Sequence, residues 1–315
     1  MRLGISSYTY SWACGVPGYS LPDPALRLTH AALVERAATL GVGVVQICDN
    51  LPLDGLSPGE IDRLADLAAA RGVAIEVGTR GIAPEHLARH IALAARLGSP
   101  ILRVVIDTAE HHPAPEEIVA TLRGALPALE GAGVVLAIEN HDRFRAQVLR
   151  GIVEAVGGDR VGICLDTVNS FGALEGPDVV VGALGDLVVN LHIKDFAVSR
   201  VPYGMGFVVE GRPAGQGMLD VPWLLEALGP HGRDPNAILE LWTPPEPDVP
   251  PAWPLTGVAA DDVCRSDARS RPVVTRISVP SGRTSEIVAC RSVSGALDDS
   301  FRSRLAGPTA ITYRG

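Results

Sequence analysis

LVVNLHIKDF, residues 187–196, is a run of strand length that stays mostly apolar until its last residues, where His192, Lys194 and Asp195 follow in quick succession. An element apolar on both faces reads as a parallel strand covered on both sides. Side chains alternate along a strand, so His192 and Lys194 share a face. Lys194 is also the only lysine of the chain; every other basic residue counted with it is Arg. Seven more runs of the same kind can be marked: LGISSYTY (3–10), GVVQICDN (43–50), VAIEVGTR (73–80), PILRVVIDT (100–108), VVLAIENHD (134–142), VGICLDTVNS (161–170) and AILELWTP (237–244). Helical patterns lie between them. THAALVERAATLG follows an N-cap at Thr29, and SPGEIDRLADLAAARG has Ser57, then Pro58 at its first turn, and ends in Gly72. APEHLARHIALAARLG and PEEIVATLRGALPALEG repeat the plan, with Pro127 expected to bend the second. This alternation predicts a closed α/β barrel of the (β/α)₈ type rather than an open dinucleotide-binding sheet. The first strand–helix turn also lacks GxGxxG.

The bulk numbers agree with one such barrel. The 315 residues are 47% hydrophobic, enough for a large core. The net charge of −9 argues against a nucleic-acid partner, which asks for a basic face. Cys14, Cys48, Cys164, Cys264 and Cys290 show no CxxC pair and are odd in number, so reduced thiols and a cytoplasmic location are expected. The first residues, MRLGISSYTY, lack a basic region followed by an apolar signal core. No uncharged apolar stretch reaches the roughly 18 residues of a membrane span.

The barrel is expected to occupy residues 1–248. Residues 249–315 read differently, as a Ser/Arg/Pro-rich extension in place of the eighth helix, or distorting it. From 251 onward there are nine Ser, against eight in the first 250 residues, and nine Arg against six acids. No 3.6-residue apolar stripe persists there. A disordered or loosely packed tail is one reading. A tail outside its ancestral reading frame is the other, to be tested by sequencing the locus for an alternative frame that encodes an amphipathic helix.

In such barrels the C-terminal strand ends form the active face. Four consecutive strands end in a potential metal ligand: Glu139, Asp166, His192 and Glu240. Three carboxylates and one imidazole suit one divalent ion, Mn²⁺ or Mg²⁺ first, with Co²⁺ or Zn²⁺ also compatible. Four protein ligands on an octahedral ion leave about two positions for neighbouring oxygens of a substrate. The set AIEN (137–140), CLDT (164–167), LHIKD (191–195) and ILELW (238–242) resembles the xylose-isomerase-like sugar isomerase/epimerase superfamily over residues 1–245. The resemblance implies the same four ligands. It implies ketose epimerases, hydroxypyruvate isomerases, inosose dehydratases and 3-oxo sugar-acid decarboxylases as functional relatives. Gly215–Asp220 looks like the family's GxGxxD loop. The epimerases commonly place a His three residues after the strand-six Asp, where this chain has Asn169. A nuclease of the related endonuclease-IV type needs three metals and many His ligands; strands two and three end in ICDN and VGTR with none.

The expected activity is a metal-dependent sugar isomerase or epimerase, working by proton transfer next to a carbonyl with Glu139 and Glu240 as acid/base groups. The alternatives are a carbon–carbon lyase of the same fold (a 3-oxo sugar-acid decarboxylase), a cyclitol dehydratase, or an impaired barrel that only binds sugar. The partner is a small sugar, sugar acid or cyclitol; no membrane partner is expected, and a homo-oligomer is allowed. Lys194 faces the barrel interior and is expected to bind a substrate carboxylate or hydroxyl, or to protonate the enediolate. The bland reading pairs it with Asp195 or a ligand carboxylate. His141 shares a face with Glu139 and could touch substrate or stay on the rim. Asn169 could bind a hydroxyl or cap a helix. Tyr8, Tyr10, Trp12 and Trp242 could wall a sugar ring or pack in the core. Arg103 and Asp107 share strand parity and are expected to form a buried pair. His111 and His112 read as a solvated loop.

Overall fold

The computed structural model describes residues 1–15, 26–201, 206–231 and 234–241, with the backbone of strands at 273–278, 284–289 and 312–314. Seven barrel strands come first: β1 (Leu3–Ser6), β2 (Val44–Ile47), β3 (Ala74–Arg80), β4 (Ile101–Val105), β5 (Val135–Glu139), β6 (Val161–Asp166) and β7 (Val188–Ile193). Two more, β8 (Asp195–Arg200) and β9 (Phe207–Arg212), form an antiparallel hairpin. Then β10 (Asn236–Leu239) inserts between β7 and β1, and the parallel ring closes. Seven of the eight apolar runs therefore contain a barrel strand, and the eighth holds all of β10 but its first residue, Asn236.

The helices follow from their end signals. They are α1 (Ser11–Cys14), α2 (His30–Thr39), α3 (Pro58–Arg71), α4 (Pro84–Leu97), α5 (Pro115–Ala132), α6 (Ala146–Val156), α7 (Pro177–Leu184) and α8 (Val221–Leu228). Thr29 Oγ1 accepts from the Ala32 N–H at the start of α2. Ser57 and Glu60 form a reciprocal capping box on α3, which ends at Gly72 in the left-handed region, φ 67°. α5 runs through Pro127, which sits on its exposed face, where water can take the hydrogen bond that proline withholds. Helix residues such as Leu33, Leu87, Ile118 and Leu122 are buried against outward-facing strand residues such as Leu136 and Ile138. Each such side chain contributes about 1.5–3 kcal/mol.

Two departures from the sequence reading bear on the site. The first run, expected as a strand through residue 10, is extended only to Ser6. Ser6 Oγ accepts from Tyr8 N–H at 2.9 Å and Ser6 N–H donates to Thr9 Oγ1 at 2.8 Å, so the chain turns at once into a 3₁₀ helix, Ser7–Tyr10. The second departure is the hairpin β8–β9, which rises directly from the active end of β7, where the sequence reading marked no further strand.

Asp195 locks the Gly215–Asp220 loop onto the base of this hairpin. The buried carboxylate accepts four backbone N–H groups, from Phe196, Gly215 and Gly217 at 2.8 Å and from Leu219 at 3.0 Å. A Cβ at Gly217 would overlap Asp195 Oδ1 and the Phe196 carbonyl oxygen. Gly217→Ala is therefore expected to destabilise the protein by about 1–3 kcal/mol through overpacking. That corresponds to about 2–4 °C of Tm per kcal/mol in a domain of this size. A thermal melt unchanged within one degree would refute the lock.

In the C-terminal region, β11 (Val273–Ser278) and β12 (Thr284–Ala289) pair antiparallel, and β13 (Thr312–Arg314) pairs parallel with β9. Of the extension expected at 249–315 only the backbone of these three strands is described; the rest of it lies outside the described residues, as do Trp242, Cys264 and Cys290. No helix among the described residues is long and apolar enough to cross a membrane.

Candidate metal centre

Strand alternation and ring register assemble the site. Asp166 on β6 lies opposite His192 on β7, and Glu139 on β5 lies opposite Cys164, one inward step below Asp166. Glu240 follows β10 directly, its N–H donating to Ile193 O on β7 at 3.1 Å. All four predicted ligands are at most 2% exposed. His192 Nδ1 lies 3.4 Å from Glu139 Oε2, 3.5 Å from Glu240 Oε1 and 3.8 Å from Asp166 Oδ2. So the structure brings the four residues together at one point on the barrel axis.

Three of the converging atoms, Asp166 Oδ2, His192 Nδ1 and Glu240 Oε2, are buried and have no hydrogen bond. Orphaned buried polar atoms are costly and rare, and three around one point call for a shared partner. One donor atom each from Asp166, His192 and Glu240 falls within 4.8 Å of the others, and the same holds for Glu139, Cys164 and His192. Cys164 is the weaker candidate of the second set. Its thiol donates to Asn190 Oδ1 at 3.3 Å, and burial pushes its pKa far up, against the thiolate a cation needs. The remaining set of three carboxylates and one imidazole fits one divalent cation.

Two basic side chains neutralise the acids. Lys194 Nζ stands 2.8 Å from Asp166 Oδ2 and 3.1 Å from Glu240 Oε2, close enough for ion pairs but without hydrogen-bond geometry good enough to satisfy either oxygen. Burial works to lower the Lys194 pKa, but Asp166, Glu240 and Glu139 carry it well above the ordinary lysine value, so it stays an ammonium. Arg103 is buried on β4; its Nε donates to Glu139 Oε2 and its Nη1 to Asp49 Oδ1 at 3.1 Å. Burial works to raise the Glu139 carboxyl, but Arg103, His192 and Lys194 hold it well below the usual carboxylate range. Glu240 is lowered too, with burial opposed by His192 and Lys194.

The other expected residues divide. Asn169 is at the centre: Nδ2 donates to Glu139 Oε1 at 2.7 Å and Oδ1 faces Lys194 Nζ at 3.4 Å. It also opens the 3₁₀ helix Asn169–Ala173. His141 stands on the rim, paired with Asp142 at 3.1 Å and one third exposed. Tyr10 packs against the core with Arg36 of α2 over its ring, because the early 3₁₀ turn carries it that way. Tyr8 instead adjoins the site: Arg103 stacks on its ring and its hydroxyl donates to Asp49 Oδ2 at 3.0 Å. The expected Arg103–Asp107 pair does not form. Arg103 serves Glu139 and Asp49, while Asp107 takes Arg143 at 2.6 Å. Of the two partners in the bland reading of Lys194, the ligand carboxylates are the ones it pairs with, at Asp166 and Glu240; Asp195 is not, since its oxygens hold the glycine loop.

Comparison with known proteins decides the family. The model of the xylose isomerase-like TIM barrel family matches residues 34–256. The chain belongs to this family. It is 35% identical over 272 residues to the 3-oxo-isoapionate decarboxylase of Pectobacterium atrosepticum, covering 86% of this chain and 93% of that protein. Among solved structures, a xylose isomerase-like TIM barrel protein from Mycobacterium smegmatis in complex with magnesium superposes with a TM-score of 0.63 at 15% identity, over 78% of this chain and 91% of that one. D-psicose 3-epimerase from Clostridium cellulolyticum with D-tagatose gives 0.59 at 17% identity, over 84% and 89%. At those identities the two structures share the fold.

Around the site of this xylose isomerase-like barrel stand residues that the strand-end reading passed over. Gln46 Oε1 lies 2.8 Å from His192 Nε2, Ser6 Oγ donates to Glu240 Oε1 at 2.8 Å, and Asp49 and Arg80 pair at the mouth at 3.2 Å. One signal was present. Gln46, Glu76 and Asn190 are polar residues inside apolar strands, and buried polar residues demand partners.

Proposed function

We propose that this protein is a divalent-metal-dependent carboxy-lyase that removes CO₂ from a 3-oxo sugar acid. The observation that carries the reading is Lys194: a largely buried amine, its side chain 12% exposed, held beside the carboxylates of the site. A neutral ketose has no anion for it; a sugar acid does. The 35% identity to a 3-oxo-isoapionate decarboxylase, over nearly the whole of that protein, supports the same choice. The state of Glu139 supports it further. Arg103 and Asn169 each donate to one of its oxygens, which leaves a poor base for pulling a proton from carbon. Decarboxylation needs no base, because the departing carboxylate leaves its bonding electrons behind.

Glu139, Asp166, His192 and Glu240 would hold the cation, Mn²⁺ or Mg²⁺ by their hard oxygen-rich character. When bound, it polarises the ketone and stabilises negative charge on the ketone oxygen. Lys194 anchors and orients the substrate carboxylate. The carbon–carbon bond breaks, its electron pair passes into the enediolate, and CO₂ leaves. One proton then replaces CO₂ on the same carbon. Asn169 fixes Glu139 and Lys194 relative to one another. The barrel wall keeps water from the reacting carbon.

The test is purified protein with Mn²⁺ and a panel of ketoses and 3-oxo sugar acids in D₂O, followed by proton NMR. The expected result is loss of CO₂ with one deuterium on the carbon that carried it. Deuterium exchange next to a carbonyl with the carbon count unchanged would point instead to the isomerase chemistry that two carboxylates facing one site could also support.

A further inference from the structure

Below the four ligands the barrel interior holds a second set of polar side chains that the proposed reaction does not use. Glu76 on β3, Gln46 on β2 and Asn190 on β7 are fully buried. Asn236 on β10 joins them from the barrel floor. They form one hydrogen-bonded chain. Asn236 Nδ2 donates to Glu76 Oε1 at 2.6 Å. Asn190 Nδ2 and Gln46 Nε2 donate to Glu76 Oε2 at 3.0 and 3.1 Å. Gln46 Nε2 also donates to Asn190 Oδ1 at 2.9 Å. At the lower end the Arg2 N–H donates to Asn236 Oδ1 at 3.3 Å. At the upper end Gln46 Oε1 meets His192 Nε2 at 2.8 Å.

The direction of every bond follows from Glu76. Burial pushes the Glu76 carboxyl above its usual range and the three amide donors oppose that; as a carboxylate it only accepts, so these neighbours turn their NH₂ groups toward it. With its NH₂ facing Glu76 and Asn190, Gln46 has only its carbonyl oxygen left for His192. A carbonyl oxygen also only accepts, so Nε2 must carry the ring proton. In the neutral ring Nδ1 then keeps its lone pair, and Nδ1 is the atom aimed at Glu139, Asp166 and Glu240. A cation binds only a ring nitrogen with a free lone pair. Packing alone does not require this chain, since Ile101 and Ile238 fill neighbouring inward positions with hydrocarbon.

We propose that Glu76, acting through Gln46, is a positioning device that holds His192 in the Nε2–H tautomer and so keeps Nδ1 available to a divalent cation. This rests on the metal-site part of the proposed function and is independent of the substrate.

The test uses the full chain, metal-free, labelled with ¹⁵N-histidine, with imidazole tautomers read by NMR and Mn²⁺ affinity by calorimetry. Wild type is expected in the Nε2–H form. Gln46→Met, similar in length but with only a weakly accepting thioether in place of the carbonyl, is expected to populate the Nδ1–H form and to weaken Mn²⁺ binding about 10–100-fold, as loss of a ligand's outer partner does. Glu76→Gln, which no longer dictates the direction of Gln46, is expected to shift both readouts the same way by less. The exchanged pair, Gln46→Glu with Glu76→Gln, returns an acceptor to His192 and a donor beneath it, and is expected to restore both. Gln46→Met with the wild-type tautomer and affinity would overturn the proposal. So would an exchanged pair that folds yet recovers neither. If Gln46→Met does not fold, Glu76→Gln and the exchanged pair decide. A wild type that ignores Mn²⁺ but shows the expected tautomers would overturn the metal reading and leave the hydrogen-bond relay standing.

Discussion

Lys194→Met is expected to lower kcat for decarboxylation by about 10²–10³-fold, the usual loss when one preorganised charge-stabilising donor is removed. Methionine nearly matches the lysine stem in length but brings no charge. Metal binding should respond in the opposite sense. The ammonium lies 2.8 Å from Asp166 Oδ2 and 3.1 Å from Glu240 Oε2, so it competes electrostatically with a cation for both carboxylates. The variant should therefore bind Mn²⁺ at least as tightly as wild type. Lys194→Arg should not rescue catalysis, because the planar guanidinium is bulkier than an ammonium in a space almost closed to solvent. Steady-state kinetics and Mn²⁺ titration on the same preparations check this. Catalytic loss accompanied by equally weakened metal binding would make Lys194 a support of the metal site and remove it from the reaction.

Arg103→Met is expected to produce the largest loss of stability. Both Arg103 and Glu139 are almost completely buried, with side chains 3% and 1% exposed. Removing the guanidinium strands a charged carboxylate in the barrel, an effect of about 3–5 kcal/mol. Asp49 loses one of its two arginines as well, though it keeps Arg80 and Tyr8. A divalent cation brings replacement positive charge to Glu139. The variant should therefore recover part of its deficit when saturated with Mn²⁺, and its metal-dependent rise in Tm should exceed that of wild type. Melting curves of both proteins with and without Mn²⁺ decide it. Equal deficits in the two states would show that Arg103 matters through its packing alone.

The sequence alone determined the ring of eight strands, the helices between them, and the four residues that meet on the axis. Those features repeat locally. Runs apolar on both faces mark covered parallel strands, and residues such as Ser57 and Gly72 mark helix ends. Barrel topology then sends the ends of β5, β6, β7 and β10 to one face, so Glu139, Asp166, His192 and Glu240 could be grouped without coordinates.

Tertiary structure alone decided the partners. Arg103 and Asp107 share strand parity, yet four residues of strand span about 13 Å, whereas the neighbouring strand lies less than 5 Å away. Arg103 therefore reaches across to Glu139, and Asp107 turns to Arg143. Tyr10 left the site because two hydrogen bonds at Ser6 end the strand early. The chain from Glu76 through Gln46 to His192 joins β3, β2 and β7, residues 30 and 146 positions apart. Each of them is only a polar letter in an apolar run. What turns them into a relay is closure of the sheet, which brings strands distant in sequence around one narrow interior where these polar side chains meet.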